Sequence, residues 1–140
     1  MALAWTPDLA VGVNEIDEQH KELFKKIDNL HAAMSKGLGK EEITRTLKFL
    51  EDYVELHFGN EEKIMFAKKY PDYSSHKAQH EIYKRNIKSL KEELNTKGAS
   101  IGLVLQINSS ICDWIIKHIQ EIDKALGKFL KQQVQGSVSA

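Results

Sequence analysis

Between about Lys40 and Ala67, apolar residues recur at helical spacing: Ile43, Leu47, Leu50, Val54, then Ile64 or Met65. His57 and Glu61 interrupt that stripe. Lying four apart, they share one face of a helix, one turn from each other. A glutamate at a core position costs several kcal/mol unless it is paired or bound to a metal. Whatever this chain folds into must therefore bring partners to this spot.

The candidates stand on other amphipathic segments. The first segment follows a stretch, residues 1 to about 13, that carries Trp5 and Pro7 without a helical period and reads as an arm. Asn14 is the expected N-cap, with Glu15, Asp17 and Glu18 in the first turn, where the helix dipole favours acids. The stripe is Ile16, His20, Leu23, Phe24, Ile27, Leu30 and Met34, ended by Gly37 and Gly39. After the second segment, Tyr70-Pro71 breaks the chain, and Pro71 is expected to open the third helix. Its stripe is Tyr73, His76, His80, Tyr83, Ile87, Leu90 and Leu94, stopping near Gly98. A fourth segment, from near Ser100 to about Gln132, aligns Leu103, Ile107, Ile111, Trp114 with Ile115, His118, Ile122, Leu126 and Phe129 with Leu130. Asn108-Ser109-Ser110 is weakly helical and is expected to fray or bend that segment. A loose polar tail is expected over 133–140.

Four such segments with short connections predict an all-α fold, an antiparallel up-and-down four-helix bundle with an N-terminal arm, in a single domain over 1–140. That topology puts early helix one, late helix two, early helix three and later helix four at one end. His20, His57, Glu61, His76, His80, His118 and Asp123 then share one layer, taking five of the six histidines. Independent structural histidines have no reason to coincide in depth. His31 is the sixth; it lies about 16 Å further along its helix than His20, at ~1.5 Å rise per residue, and reads as an ordinary polar residue. Tyr53, Tyr73 and Tyr83 read as core or rim aromatics, Glu55 and Glu62 as solvated, and Cys112 as a small buried group. Gly59, on the outer face, weakens its helix for no evident reason.

Seven ligands exceed the four that a zinc ion takes and suit two metals sharing bridges. Five imidazoles and two carboxylates favour iron, with copper or manganese less natural. The Glu-x-x-His pairs of ferritin-like sites do not occur. His118 and Asp123, five apart, fall about 140° apart on an ideal helix. Either the aspartate reaches across to the second metal or the helix carries a π-bulge.

Lys+Arg and Asp+Glu are 20 each, so charge offers no general attraction to nucleic acid or an anionic membrane. No apolar run approaches the roughly 18 residues of a span, and no export signal is visible. The single cysteine forms no internal disulfide. The expected compartment is the cytoplasm.

At this point the sequence resembles the single-domain bacterial hemerythrins, over about residues 5 to 130. The resemblance is carried by Asp17-Glu18-Gln19-His20-Lys21, His57-Phe58-Gly59-Asn60-Glu61-Glu62, Tyr70-Pro71 with His76-x-x-x-His80, and Trp114 through Asp123 with His118 between. It implies that His76, His80 and His118 hold one iron and His20 and His57 the other. Glu61 and Asp123 would bridge the two ions (Fe2+ or Fe3+), together with an oxo or hydroxo oxygen. It implies reversible O2 binding, not enzymatic turnover: O2 takes one electron from each iron and the bridging proton, and is held as hydroperoxide on one iron. The formal charge of the site is the same before and after, so a dry pocket is not penalised. Phe58, Trp114, Ile115 and Ile119 would line that pocket, and small anions are further candidate ligands of a ferric site. The alternatives are a di-iron redox enzyme acting on peroxide, O2 or NO, and a sensory or iron-handling module.

Overall fold

The computed structural model describes residues 4–37, 40–98 and 100–139. Gly39, expected to help end the first helix, lies outside the described residues, as do positions 1–3 of the arm and Ala140 at the chain's end. A single 3-10 turn, Pro7–Leu9, precedes three long helices: α1 (Asn14–Ser35), α2 (Lys40–Ala67) and α3 (Tyr73–Lys97). The fourth helix is continuous over 101–139 but changes its winding twice. It comprises α4 (Ile101–Ile107), a π segment (Asn108–Asp113), α5 (Trp114–His118), a second π segment (Ile119–Asp123) and α6 (Lys124–Ser139).

Cross-helix contacts give the directions. Glu15 and Gln19 of α1 meet Asn60 and His57 of α2. On the next interface Glu62 meets His80, while Glu51 meets Lys91. Moving back along α2 moves forward along α3, so neighbours run antiparallel. His76 then faces Asp123, and Tyr83 faces Ile111, which sets the fourth helix antiparallel to α3. The result is the four-helix bundle, its core filled mainly by the expected stripes: Leu23, Leu30, Leu47, Leu50, Ile87, Leu94, Ile111 and Leu126 are wholly buried, whereas Ile122, expected in the fourth stripe, is only half-buried because the helix turns Ile119 and Asp123 inward there. Among the described residues no helix is long and apolar enough to cross a membrane.

Helix ends depart from local expectation where distant groups compete. Val13, not Asn14, takes the N-cap position of α1, and makes no side-chain cap. The carboxylate of Asp17 instead turns back to accept the backbone N–H groups of Val11 and Gly12, at 2.7 and 3.2 Å, tying the arm to the helix. Pro71 does not open α3, which starts at Tyr73 behind Asp72. Proline occupies the second position of a turn closed by Tyr73 N–H on the Tyr70 carbonyl, a place that suits its fixed φ. The expected tail is helical to Ser139, past Gln132: 133–135 hold no helix breaker, and Gly136 alone does not end the helix. The weakly helical run at 108–110 neither frays nor breaks; it widens into the first π segment. There the Ile111 carbonyl accepts the hydroxyl of the wholly buried Tyr83 at 3.1 Å.

The arm seats Leu9 and Val11 in the core. It can do so because Gly127 on α6 has no side chain: a Cβ there would collide with the Val11 carbonyl oxygen, a backbone atom with little freedom to retreat. Around Gly59, by contrast, a Cβ would meet nothing within 4 Å. Gly127→Ala is therefore expected to destabilise the protein by ~1–3 kcal/mol. Gly59→Ala should stabilise it by up to ~1 kcal/mol. Urea unfolding of the two variants beside the parent checks both signs.

Candidate metal centre

Three antiparallel crossings deliver the expected layer. His20 comes from early α1, His57 and Glu61 from late α2, His76 and His80 from early α3, and His118 and Asp123 from the fourth helix. All seven side chains are buried, none more than 3% exposed. The second π segment answers the spacing of His118 and Asp123. Its closing bond runs from Lys124 N–H to the Ile119 carbonyl, five residues back. This wider turn brings residues five apart onto one face, and His118 Nε2 lies 3.0 Å from Asp123 Oδ1.

Each carboxylate is divided between two groups of histidines. Glu61 Oε2 faces His57 Nε2 at 2.9 Å and His20 Nε2 at 3.4 Å. Its other oxygen, Oε1, faces His80 Nε2 at 3.2 Å and His76 Nε2 at 3.4 Å. Asp123 repeats the pattern, with Oδ2 at 3.0 Å from His20 and Oδ1 at 2.9 Å from His76. Two donor sets follow: Glu61, His76, His80, His118 and Asp123 in one, and His20, His57, Glu61 and Asp123 in the other, with the ligand atoms of each within 4.8 Å of one another.

The chemistry of these atoms tests whether a cation fits. All five Nε2 atoms and all four carboxylate oxygens are buried without a hydrogen bond of acceptable geometry. Buried polar atoms that converge on common points without satisfying one another are costly as hydrogen-bonding groups. They are well disposed as metal donors. Nine donor contacts, five nitrogen and four oxygen, exceed what one ion accepts and divide naturally between two.

The charges reinforce one another. Burial opposes protonation of His20 and His76, but the facing carboxylates outweigh it and lift both to about 9. His80 is raised on the same balance, with Glu61 and Glu62 as its partners. Burial opposes ionisation of Glu61 and Asp123, and the histidines overcome it, holding both carboxyls well below the ordinary range. A metal must therefore displace protons from the histidines. In chelator-stripped protein, the contribution of His20 and His76 to stability is complete below their ordinary value of 6.5 and is lost as pH rises through about 9. That of Glu61 and Asp123 is present above the ordinary carboxylate range and is lost on acidification. Stripped protein is thus expected to unfold at lower urea at pH 10 than at pH 7, whereas the loaded protein, its imidazoles already held, should change much less.

Two side chains outside the stripes complete the site. Gln19 Oε1 lies 2.8 Å from His57 Nδ1 and also accepts a longer bond, 3.4 Å, from Asn60 Nδ2. Glu62 Oε2 lies 2.9 Å from His80 Nδ1. The expectation that Glu62 is solvated is thereby corrected: its side chain is only 14% exposed, whereas Glu55 at 61% is solvated. Burial opposes ionisation of Glu62, but its bond with His80 prevails and keeps its carboxyl below the ordinary range. Tyr53 supports the same corner through its hydroxyl, which donates to the Gln19 carbonyl at 3.1 Å. Burial pushes the Cys112 thiol up to about 11.

The four residues expected to line a pocket differ in placement. Phe58 is wholly buried and stacks on His80, centroids 3.8 Å apart. Ile115 and Ile119 are wholly buried. Trp114 is half-buried and stacks with both His118, at 4.7 Å, and Tyr83, at 4.6 Å.

Comparison with known proteins agrees in sequence and in shape. The sequence profile described as "Hemerythrin HHE cation binding domain" matches residues 11–130. A "Bacteriohemerythrin" of Methylococcus capsulatus is 31% identical over 129 residues, 91% of this chain and 96% of that one. A "Hemerythrin-like protein" of Naegleria gruberi is 32% identical over 85% of this chain and 86% of its own. A solved structure titled "Crystal structure of hemerythrin:wild-type" superposes with a TM-score of 0.80 at 30% identity, covering 91% of this chain and 97% of the other.

Proposed function

This chain belongs to the hemerythrin family, and from that premise we propose that it binds O2 reversibly at a pair of iron ions, as a carrier, store or scavenger in the cytoplasm. The observation that carries the reading is the division of Glu61 and Asp123, each giving one oxygen to each histidine group. Carboxylates so disposed would serve both ions of a pair. His76, His80 and His118 would hold one, and His20 and His57 the other, with an oxo or hydroxo oxygen completing the bridge. Iron accepts such a mixed nitrogen and oxygen set readily. When bound, the iron pair would supply two electrons to O2, one from each ion, and recover them on release.

The chain's own residues do the rest. The set containing His20 and His57 has one donor fewer, so it is the one with room for O2 or, when oxidised, for a small anion. Phe58, Ile115 and Ile119 are apolar and wholly buried, and with the flank of Trp114 they would keep water from that position. Exclusion of water suppresses loss of reduced oxygen, which would strand ferric iron. None of these side chains offers a proton for further reduction, which supports binding rather than turnover.

Iron-loaded, reduced protein exposed to O2 and then to vacuum tests the proposal. Colour should develop with O2 and disappear on its removal, over repeated cycles. Irreversible oxidation with continuing O2 consumption would assign the centre to an enzyme instead.

A further inference from the structure

We propose that Glu62 and Gln19 make the two halves of the metal pair unequal in electron-donating power, with Glu62 the stronger determinant. The inference rests on the di-iron reading above.

Three of the five clustered histidines, His20, His76 and His118, have a buried Nδ1 with no hydrogen-bond partner among the described residues. The other two have one side-chain partner each, and these fall one to each donor set. His80 Nδ1 faces the carboxylate of Glu62 at 2.9 Å. His57 Nδ1 faces the amide oxygen of Gln19 at 2.8 Å. Both rings turn Nε2 toward the common centre beside Glu61; with a metal held at Nε2, Nδ1 is the nitrogen that carries the proton and donates it outward.

The partners differ in kind. A carboxylate draws the Nδ1 proton strongly and makes the ring a better donor at Nε2, stabilising the higher charge of an ion bound there. An amide oxygen draws it weakly, and that of Gln19 is already shared with Asn60. The His76/His80/His118 side is thus built to hold positive charge, and the His57 side is left poorer in electrons. When a one-electron outer-sphere oxidant removes a single electron from the diferrous pair, forming no bond and moving no proton, the electron would leave the ion on the Glu62 side and pass to the oxidant. Glu62 acts through His80, as a positioning residue with an electronic consequence.

Potentiometric titration of the iron-loaded full chain, with the mixed-valent electron paramagnetic resonance signal recorded at each step, tests this. Glu62→Gln keeps an acceptor at His80 but removes the charge. It should still bind two irons while the equilibrium constant for the first oxidation becomes ~10-fold less favourable, the scale on which such partners act; for one electron that is ~59 mV upward. Gln19→Glu should move it the opposite way. In the double exchange the mixed-valent signal should differ from that of the parent, because the charge now settles on the other ion. Glu55→Gln, which removes the same charge from an exposed residue that touches no histidine, should change nothing. Unchanged potentials in both Glu62→Gln and Gln19→Glu with two irons bound, or equal shifts in Glu62→Gln and Glu55→Gln, overturn the proposal. If only Glu62→Ala disturbs the centre and Glu62→Gln matches the parent, Glu62 merely orients the ring and the electronic claim fails. A parent chain that binds no iron pair fails the di-iron reading itself, before any variant is compared.

Discussion

Glu61→Ala is expected to bind neither iron well. Glu61 is the one residue whose two oxygens face four of the five clustered histidines. Its loss removes a donor from both sets at once, and Asp123 is left as the only carboxylate common to both. Substituting partners one bond further out already costs ~10–100-fold in affinity, so losing this bridge should cost more. Iron per chain, measured after desalting, should fall from about two to well below one, and the absorption in air should disappear with it. Far-ultraviolet circular dichroism keeps the result interpretable: the helices should remain, because the stripes of Leu, Ile and Phe around the centre are untouched. Normal iron content and colour in this variant would remove the basis for assigning the cluster as the metal centre.

Chelation of the parent protein should produce the next largest effect, a loss of stability rather than of fold. The donors are distant in sequence and converge only in the native state, so metal binds the folded chain in preference to the unfolded one. Free metal at a thousand times its dissociation constant stabilises by about 4 kcal/mol. For a chain of this size that corresponds to a fall in Tm on the order of 10 °C on stripping. The stripped protein retains the ion pairs of Glu61 and Asp123 with the histidines, which is why it should stay folded near neutral pH. An unchanged Tm after complete removal of metal would mean that the buried cluster is a hydrogen-bonded polar core and not a metal site.

The bundle and the convergence of the seven side chains are legible in the sequence for one reason. Each polar residue interrupts an apolar stripe of known period, so its face is fixed by its neighbours and its depth by the topology. Gln19 and Glu62 carry no such mark. Each sits beside a stripe residue, at positions that read as solvent-facing, and only the closeness of α1 to α2 and of α2 to α3 turns them inward onto His57 and His80. The only trace in the sequence is adjacency: Gln19 precedes His20, and Glu62 follows Glu61. Local rules misplace the start of α1 for a similar reason. Asn14 is a sound cap judged on its own segment, but Asp17 serves the arm, and the arm's path is set by α6. The start of α3 at Tyr73 follows from the turn at Tyr70–Tyr73, to which proline is equally suited.

The wide turn at Ile119–Asp123 does more than present an aspartate. It inserts the equivalent of one additional residue into a helix whose remainder still has to fit. Everything beyond it is rotated as a block: Leu126 and Leu130 toward the interior, and Gly127 against Val11. Shortening the chain by one residue there would wind the helix regularly and turn that whole block by a fraction of a revolution, unseating the arm at the same stroke as the carboxylate. Fidelity of the ion-binding end and anchorage of the leading segment are thus coupled through a single irregularity of winding. A length change at this point should therefore disturb both, although the residues between His118 and Asp123 include none of the candidate donors.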